Sequence, residues 1–168
     1  GSFDKFIQGS KGKHGTAAVD KEFLISLDNL RTFLASAIIK NNKNLSGEEI
    51  NFAVQQTIDR IIFLRIAEDR NIEPYGNLKS ALESGSYYEN LFSIFTDADQ
   101  KYNSGLFDFK KDKISDSLNI ENKVIKKIVS ELYYPESPYE FSVIPVEILG
   151  SVYEQFLGKT INITSSGH

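Results

Sequence analysis

Residues 46–70, SGEEINFAVQQTIDRIIFLRIAEDR, decide how the rest of the chain must fold. Ser46 followed three residues later by Glu49 is a capping box, in which each side chain satisfies an orphan N–H of a helix's first turn. The helix start is therefore well marked. Ile50, Val54, Ile58, Ile61 and Ile62 keep the 3.6-residue period, while Phe63, Leu64, Ile66 and Ala67 fill the remaining faces. A helix apolar nearly all round must be covered by other helices. It is not a membrane span, because Asp59, Arg60 and Arg65 interrupt the run well short of bilayer length.

The composition agrees with one packed core. The chain has 168 residues, 40% hydrophobic and 25% charged, which suffices for a single globular unit. A net charge of −4 speaks against coating nucleic acid through the overall field, though a local basic patch is compatible with it. With no Cys there is neither a disulfide framework nor a thiolate metal site, and two His residues would need carboxylate help to hold a metal. The absence of Cys and of an apolar leader points to a bacterial, cytoplasmic protein with no membrane partner. There is no Met, even at position 1, so the sequence reads as a piece of a longer chain, with Gly1 and Ser2 as a cloning scar.

Outward from the central helix, a stripe of Phe23, Leu27, Leu30, Leu34 and Ile38 predicts a helix over 21–41, capped by Asp20 and paired antiparallel with the first through the short NNKNL link. Residues 1–19 carry Gly9, Gly12 and Gly15 among Lys11, Lys13 and His14 and read as a flexible basic linker. Further helices are expected near 78–82, 87–100, 120–133 and 145–157. Leu106 and Phe107 plug a loop into the core, and 110–117 read as polar and exposed. Residues 159–168 read as the start of a second linker. The fold class is all-α, an irregular bundle of about six helices around residues 46–70, with the helical domain spanning 20–158.

Few residues carry chemistry. Arg60, Arg65, Glu68, Asp69 and Arg70 form the densest charged cluster, and Arg65 reaches Glu68 and Asp69 at helical spacing. Glu68 and Asp69 as metal ligands or acid/base groups would need a third ligand that the spacing does not supply, so a structural ion-pair network is the better reading. Lys11, Lys13 and His14 could contact a DNA backbone from a mobile arm, although three basic groups make a small electrostatic footprint. Lys123, Lys126 and Lys127 fit the solvent face of a helix. No serine–histidine pair, Gly-rich nucleotide loop or zinc cluster is present, so the residues describe a helical domain with no catalytic, cofactor-binding or metal site of its own.

Four stretches taken together resemble one family: FDKF with KGKHGTAAVD (3–20), IDRIIFLRIAEDR (58–70), ADQKYNSGLF (98–107) and PVEILGSVYEQFLG (145–158). They look like the helical connector of single-chain type IIG restriction-modification enzymes, which lies between a PD-(D/E)xK nuclease and an S-adenosylmethionine-dependent DNA methyltransferase. The resemblance implies a spacer that couples DNA cleavage to adenine methylation, with flanking nuclease and methyltransferase domains and double-stranded DNA as partners. It also implies that S-adenosylmethionine and Mg2+ belong to those other domains, since neither catalytic signature occurs in this sequence. The parent chain would then be a site-specific DNA methyltransferase and endonuclease. The alternative is a stand-alone helical interaction module that docks a protein through an exposed aromatic patch at 133–141.

Overall fold

The capping box forms as the sequence predicts. Glu49 N–H donates to Ser46 Oγ at 3.1 Å, and Ser46 N–H donates to Glu49 Oε1 at 2.9 Å. The computed structural model describes residues 13–102 and 105–141, with side chains from residue 21 onward. Within them are four α-helices: α1 (Lys13–Asn41), α2 (Gly47–Asp69), α3 (Tyr87–Tyr102) and α4 (Asn122–Ser130). Short 3-10 turns at Lys79–Leu82, Gly105–Phe107 and Ser115–Ser117 join them. The all-α class holds, and the described residues contain no strand. The helix expected at 145–157 lies outside the described residues.

Two boundaries differ from expectation. The stripe predicts the first helix from residue 21, yet α1 begins at Lys13 and runs through Asp20, which is therefore not its cap. Ala17 and Ala18 are strong helix formers, and Gly15 falls in the first turn where its cost is least. The helix expected over 120–133 is shorter at its end, because Leu132 N–H and Tyr133 N–H turn back three residues, to Val129 O and Ser130 O. Pro135 and Pro138 follow and prevent any continuation.

α2 is the axis of the molecule. From Thr57 to Glu68 each of its residues except Phe63 is buried, as a helix with no polar face requires. α1 packs along it through Phe23, Leu27, Leu30, Leu34 and Ile38, the stripe read from the sequence. α3 adds Leu91, Phe95 and Ala98, and α4 adds Val124, Ile125, Ile128 and Val129. Phe107 is fully buried and meets Phe63 edge-on at 5.6 Å and Phe95 at 6.0 Å. The loop plug thus closes the space between α2 and α3. Asn42 stitches the far end of α1 to the chain before α4, accepting from Asn119 N–H at 2.8 Å and donating to Asn119 O at 2.9 Å.

Removing the hydroxyl in Ser46→Ala should cost about 1 kcal/mol, the usual value for losing an N-cap. Urea unfolding would register it as a lower midpoint with an unchanged slope.

Candidate functional site

The charged residues of α2 sit inside the protein and reach outward in two directions. Arg60 and Arg65 are five positions apart, which places them about 140° apart around the helix. Each guanidinium therefore engages a different later segment of the chain.

Arg60 is 1% exposed. Its Nε donates to Leu106 O at 2.8 Å, and its Nη1 donates to Asp112 Oδ2 at 2.8 Å and to Ser115 Oγ at 3.2 Å. The plane lies 4.5 Å from the Phe109 ring centre and 5.9 Å from that of Phe95, within cation–π range. Asp112 in turn accepts from Ile114 N–H and Ser115 N–H, both at 3.0 Å, and from the Ser115 hydroxyl. Burial pushes its carboxyl up, but the bonds from Ser115, Arg60 and Ile114 outweigh this and hold it below the ordinary carboxylate range. The expectation that 110–117 are exposed is therefore corrected at Asp112 and Ser115, both buried. The backbone of a D-x-x-S turn wraps onto the carboxylate, and Arg60 draws that turn inward.

Arg65 reaches the other way. Its Nε donates to Leu132 O at 2.8 Å, its Nη1 pairs with Asp69, and Asp69 Oδ2 accepts Phe141 N–H at 3.0 Å. Three rings surround the guanidinium, with centres at 4.4 Å for Tyr133, 4.9 Å for Phe141 and 5.3 Å for Tyr75. Glu68 binds a separate set of donors. It accepts Gly76 N–H at 2.8 Å, Leu78 N–H at 2.9 Å and the Tyr133 hydroxyl at 2.7 Å. Gly76 has φ of +88°, a conformation that glycine adopts freely, so its N–H can turn toward the carboxylate. Arg70 ends α2 through its backbone, its N–H donating to Ile66 O at 3.0 Å.

The structure thus brings Arg65 to Asp69 on one helix, sends Arg60 to Asp112, and sends Glu68 to the turn after α2. Sequence reasoning does not single out Asp112, Ser115 or the aromatic cage. The Asx-turn pattern at Asp112 is the signal that could have found the first two. Lys11 lies outside the described residues. Lys13 and His14 fall in the first turn of α1, with their side chains outside that description.

In this arrangement Arg60, Arg65, Glu68, Asp69 and Asp112 are each matched by partners within the fold. The Glu68 and Asp69 oxygens are occupied by N–H, hydroxyl and guanidinium donors, so the pair does not fit a divalent cation such as Mg2+. Among the described residues no three His, Asp or Glu side chains gather at metal-binding distance. A cavity of about 300 Å³ beside α3 has Glu73 in its wall, but that carboxylate is taken by Lys101 Nζ at 2.8 Å and by the Tyr102 hydroxyl. The aromatic patch expected at 133–141 is not a surface patch either. Tyr133 and Phe141 are buried around Arg65, and of its tyrosines only Tyr134 stands exposed.

Over all 168 residues the chain is 34% identical to the type II restriction enzyme and methyltransferase RM.Eco57I of Escherichia coli. The match runs the whole length of this chain, in keeping with the resemblance to a restriction-modification enzyme. The chain spans 16% of that enzyme's length. No family model and no solved structure matches it. Among the described residues no helix is long and apolar enough to cross a membrane.

Substitutions at Asp112, Arg60 and Asp59 test the site. Asp112→Asn leaves Arg60 buried without its anion and should cost roughly 3–5 kcal/mol, read by chemical denaturation, whereas Arg60→Met with Asp112→Leu should recover much of that loss. Asp59 is buried with no hydrogen-bond partner for its Oδ1, and burial pushes its carboxyl up to about 7 against the pull of Arg60. The folded state then holds this proton more tightly than the unfolded state, so stability should fall as pH rises from about 4 to about 7, by up to roughly 4 kcal/mol. Asp59→Asn should flatten that slope in unfolding curves taken at both ends of the window.

Proposed function

We propose that this chain is a segment of a single-chain type IIG restriction-modification enzyme of the bacterial cytoplasm. It acts as the helical spacer between a nuclease and an adenine methyltransferase, and performs no catalysis itself. The observation that carries the reading is the full-length match to a restriction enzyme and methyltransferase, of which the chain covers a small part. The spacer role draws support from the packing. A spacer that fixes the distance from recognition to cleavage must be stiff, and α2 is buried from Thr57 to Glu68 at every residue but Phe63 and tied to two remote segments by Arg60 and Arg65.

Under this reading S-adenosylmethionine and Mg2+ are held by the flanking domains. Lys11, Lys13 and His14 would contribute contacts to the backbone of double-stranded DNA.

The test is made in the parent enzyme. Ile61 is 1% exposed, and Phe63 packs edge-on against Tyr102 at 5.3 Å. Ile61→Ala or Phe63→Ala should cost about 2–5 kcal/mol in core packing. At a temperature where the variant remains folded, sequencing of the cleaved ends should show cut positions spread over neighbouring phosphates, with methylation of the recognition site retained. An unchanged, single cut position in folded variants would overturn the spacer role. A parent chain that neither cleaves nor methylates DNA would overturn the family assignment itself.

A further inference from the structure

By sequence the lysines of α4 form an ordinary solvent face, but the fold gives them neighbours that the sequence does not. Lys127 Nζ lies 5.3 Å from the ring centre of Phe33 in α1, and Asn42, at the other end of that stretch, is bonded to Asn119. Residues 33–42 and 119–127 therefore lie side by side and run in opposite directions. On α1, Phe33, Ala37 and Lys40 share one face by their spacing of four and three, and this is the face that meets Lys127. On α4, Lys123 and Lys127 share a face by their spacing of four, with Lys126 beside them. Lys43 follows directly in the link to α2. Lys40, Lys43, Lys123, Lys126 and Lys127 are all exposed, and the pairing of the two segments gathers them into a cationic ridge drawn from α1, the link that follows it and α4.

Two acidic groups lie among these lysines and a third beyond them. Glu121 lies 3.7 Å from Lys123, and Glu131 lies 2.6 Å from Lys127, both half-buried. Glu48 is exposed at the start of α2, beyond Lys43. Lys40, Lys43 and Lys126 have no ion-pair partner among the described residues. On a protein whose net charge is −4, positive groups gathered on one ridge orient the molecule toward a polyanion without binding it indiscriminately.

We infer that the ridge formed by Lys40 and Lys43 with Lys123 and Lys126 contacts the sugar–phosphate backbone of duplex DNA. The choice of DNA rests on the functional reading above; the choice of residues rests on the packing of α1 against α4. Lysines on flexible stems suit this role, because an ammonium group meets a phosphate as a point charge and needs no fixed bidentate geometry. Such contacts carry no sequence information and hold the bundle in register along the duplex. Lys127, engaged by Phe33 and Glu131, anchors the ridge and contributes less to binding.

The experiment is fluorescence anisotropy of a labelled duplex with the full 168-residue chain, at salt from about 50 to about 200 mM. The variant Lys40→Gln/Lys43→Gln/Lys123→Gln/Lys126→Gln should bind at least about tenfold more weakly at low salt. It should also lower the slope of log K against log salt by about 3–4, near 0.9 for each phosphate that is no longer neutralised. Replacing the same four lysines with Arg should keep both affinity and slope, and matching circular dichroism melts would show all three proteins folded. An unchanged slope in the Gln variant, or no binding by the parent sequence at about 50 mM salt, would overturn the ridge. Loss of binding confined to Lys11→Ala/Lys13→Ala/His14→Ala would also overturn it while leaving the proposed function standing. Failure of that function is read separately, in the cleavage and methylation assays of the parent enzyme.

Discussion

The structure depends on what happens when a helix with no polar face carries two arginines. α2 must be surrounded, and a guanidinium that cannot reach water must find an anion, carbonyls and aromatic planes among the segments around it. Arg60 finds Asp112, Leu106 O and Phe109, while Arg65 finds Asp69, Leu132 O and a cage of three rings. Each arginine thereby dictates where a stretch of chain must lie. Apolar packing alone would allow the loop after α3 and the segment after α4 to slide. A planar donor group with a single matching acceptor set does not allow it. Buried ion pairs of this kind contribute more to choosing one arrangement than to total stability, because desolvation offsets much of their attraction.

The same logic places Glu68. Its two oxygens collect N–H groups from the turn after α2 and the hydroxyl of Tyr133, so the reversal of the chain is built on the end of the central helix. Tyr133 serves two partners, its hydroxyl bonding Glu68 and its ring covering Arg65. The turn after α2 and the segment after α4 are in this way locked to one another as well as to the helix.

Much of this is legible in the sequence. The box at Ser46 and Glu49, the stripe on α1 from Phe23 to Ile38 and the plug at Phe107 follow from periodicity and capping, which are local properties of the chain. The mostly apolar run at residues 57–68 correctly announces a helix covered on every side. The partners of the charged residues are not legible to the same degree. Arg65 and Asp69 can be paired by helical spacing, but Arg60 and Asp112 meet only because a loop folds back, and a run of charged residues such as KKDK looks solvated when read by composition. The tyrosines near Pro135 and Pro138 mislead for a related reason. An aromatic cluster has the same sequence signature whether it faces solvent or wraps a buried cation, and Arg65 decides between the two.

The distances along the chain between these partners have a consequence for how the protein folds and fails. Asn42 and Asn119 are separated by 77 positions, and the Ser26 and Tyr139 hydroxyls, 3.1 Å apart, by 113. A helical bundle usually gathers most of its contacts locally and closes quickly. Here the α1–α2 hairpin can form from near neighbours, but Arg60 lacks Asp112 and Leu106 O until the loop after α3 folds back, and Arg65 lacks Leu132 O and the Tyr133 and Phe141 rings until the last described segment returns. Half-assembled states therefore leave the apolar faces of α2 uncovered and are poorly populated. The bundle is expected to lose its two halves together, in one cooperative step rather than helix by helix.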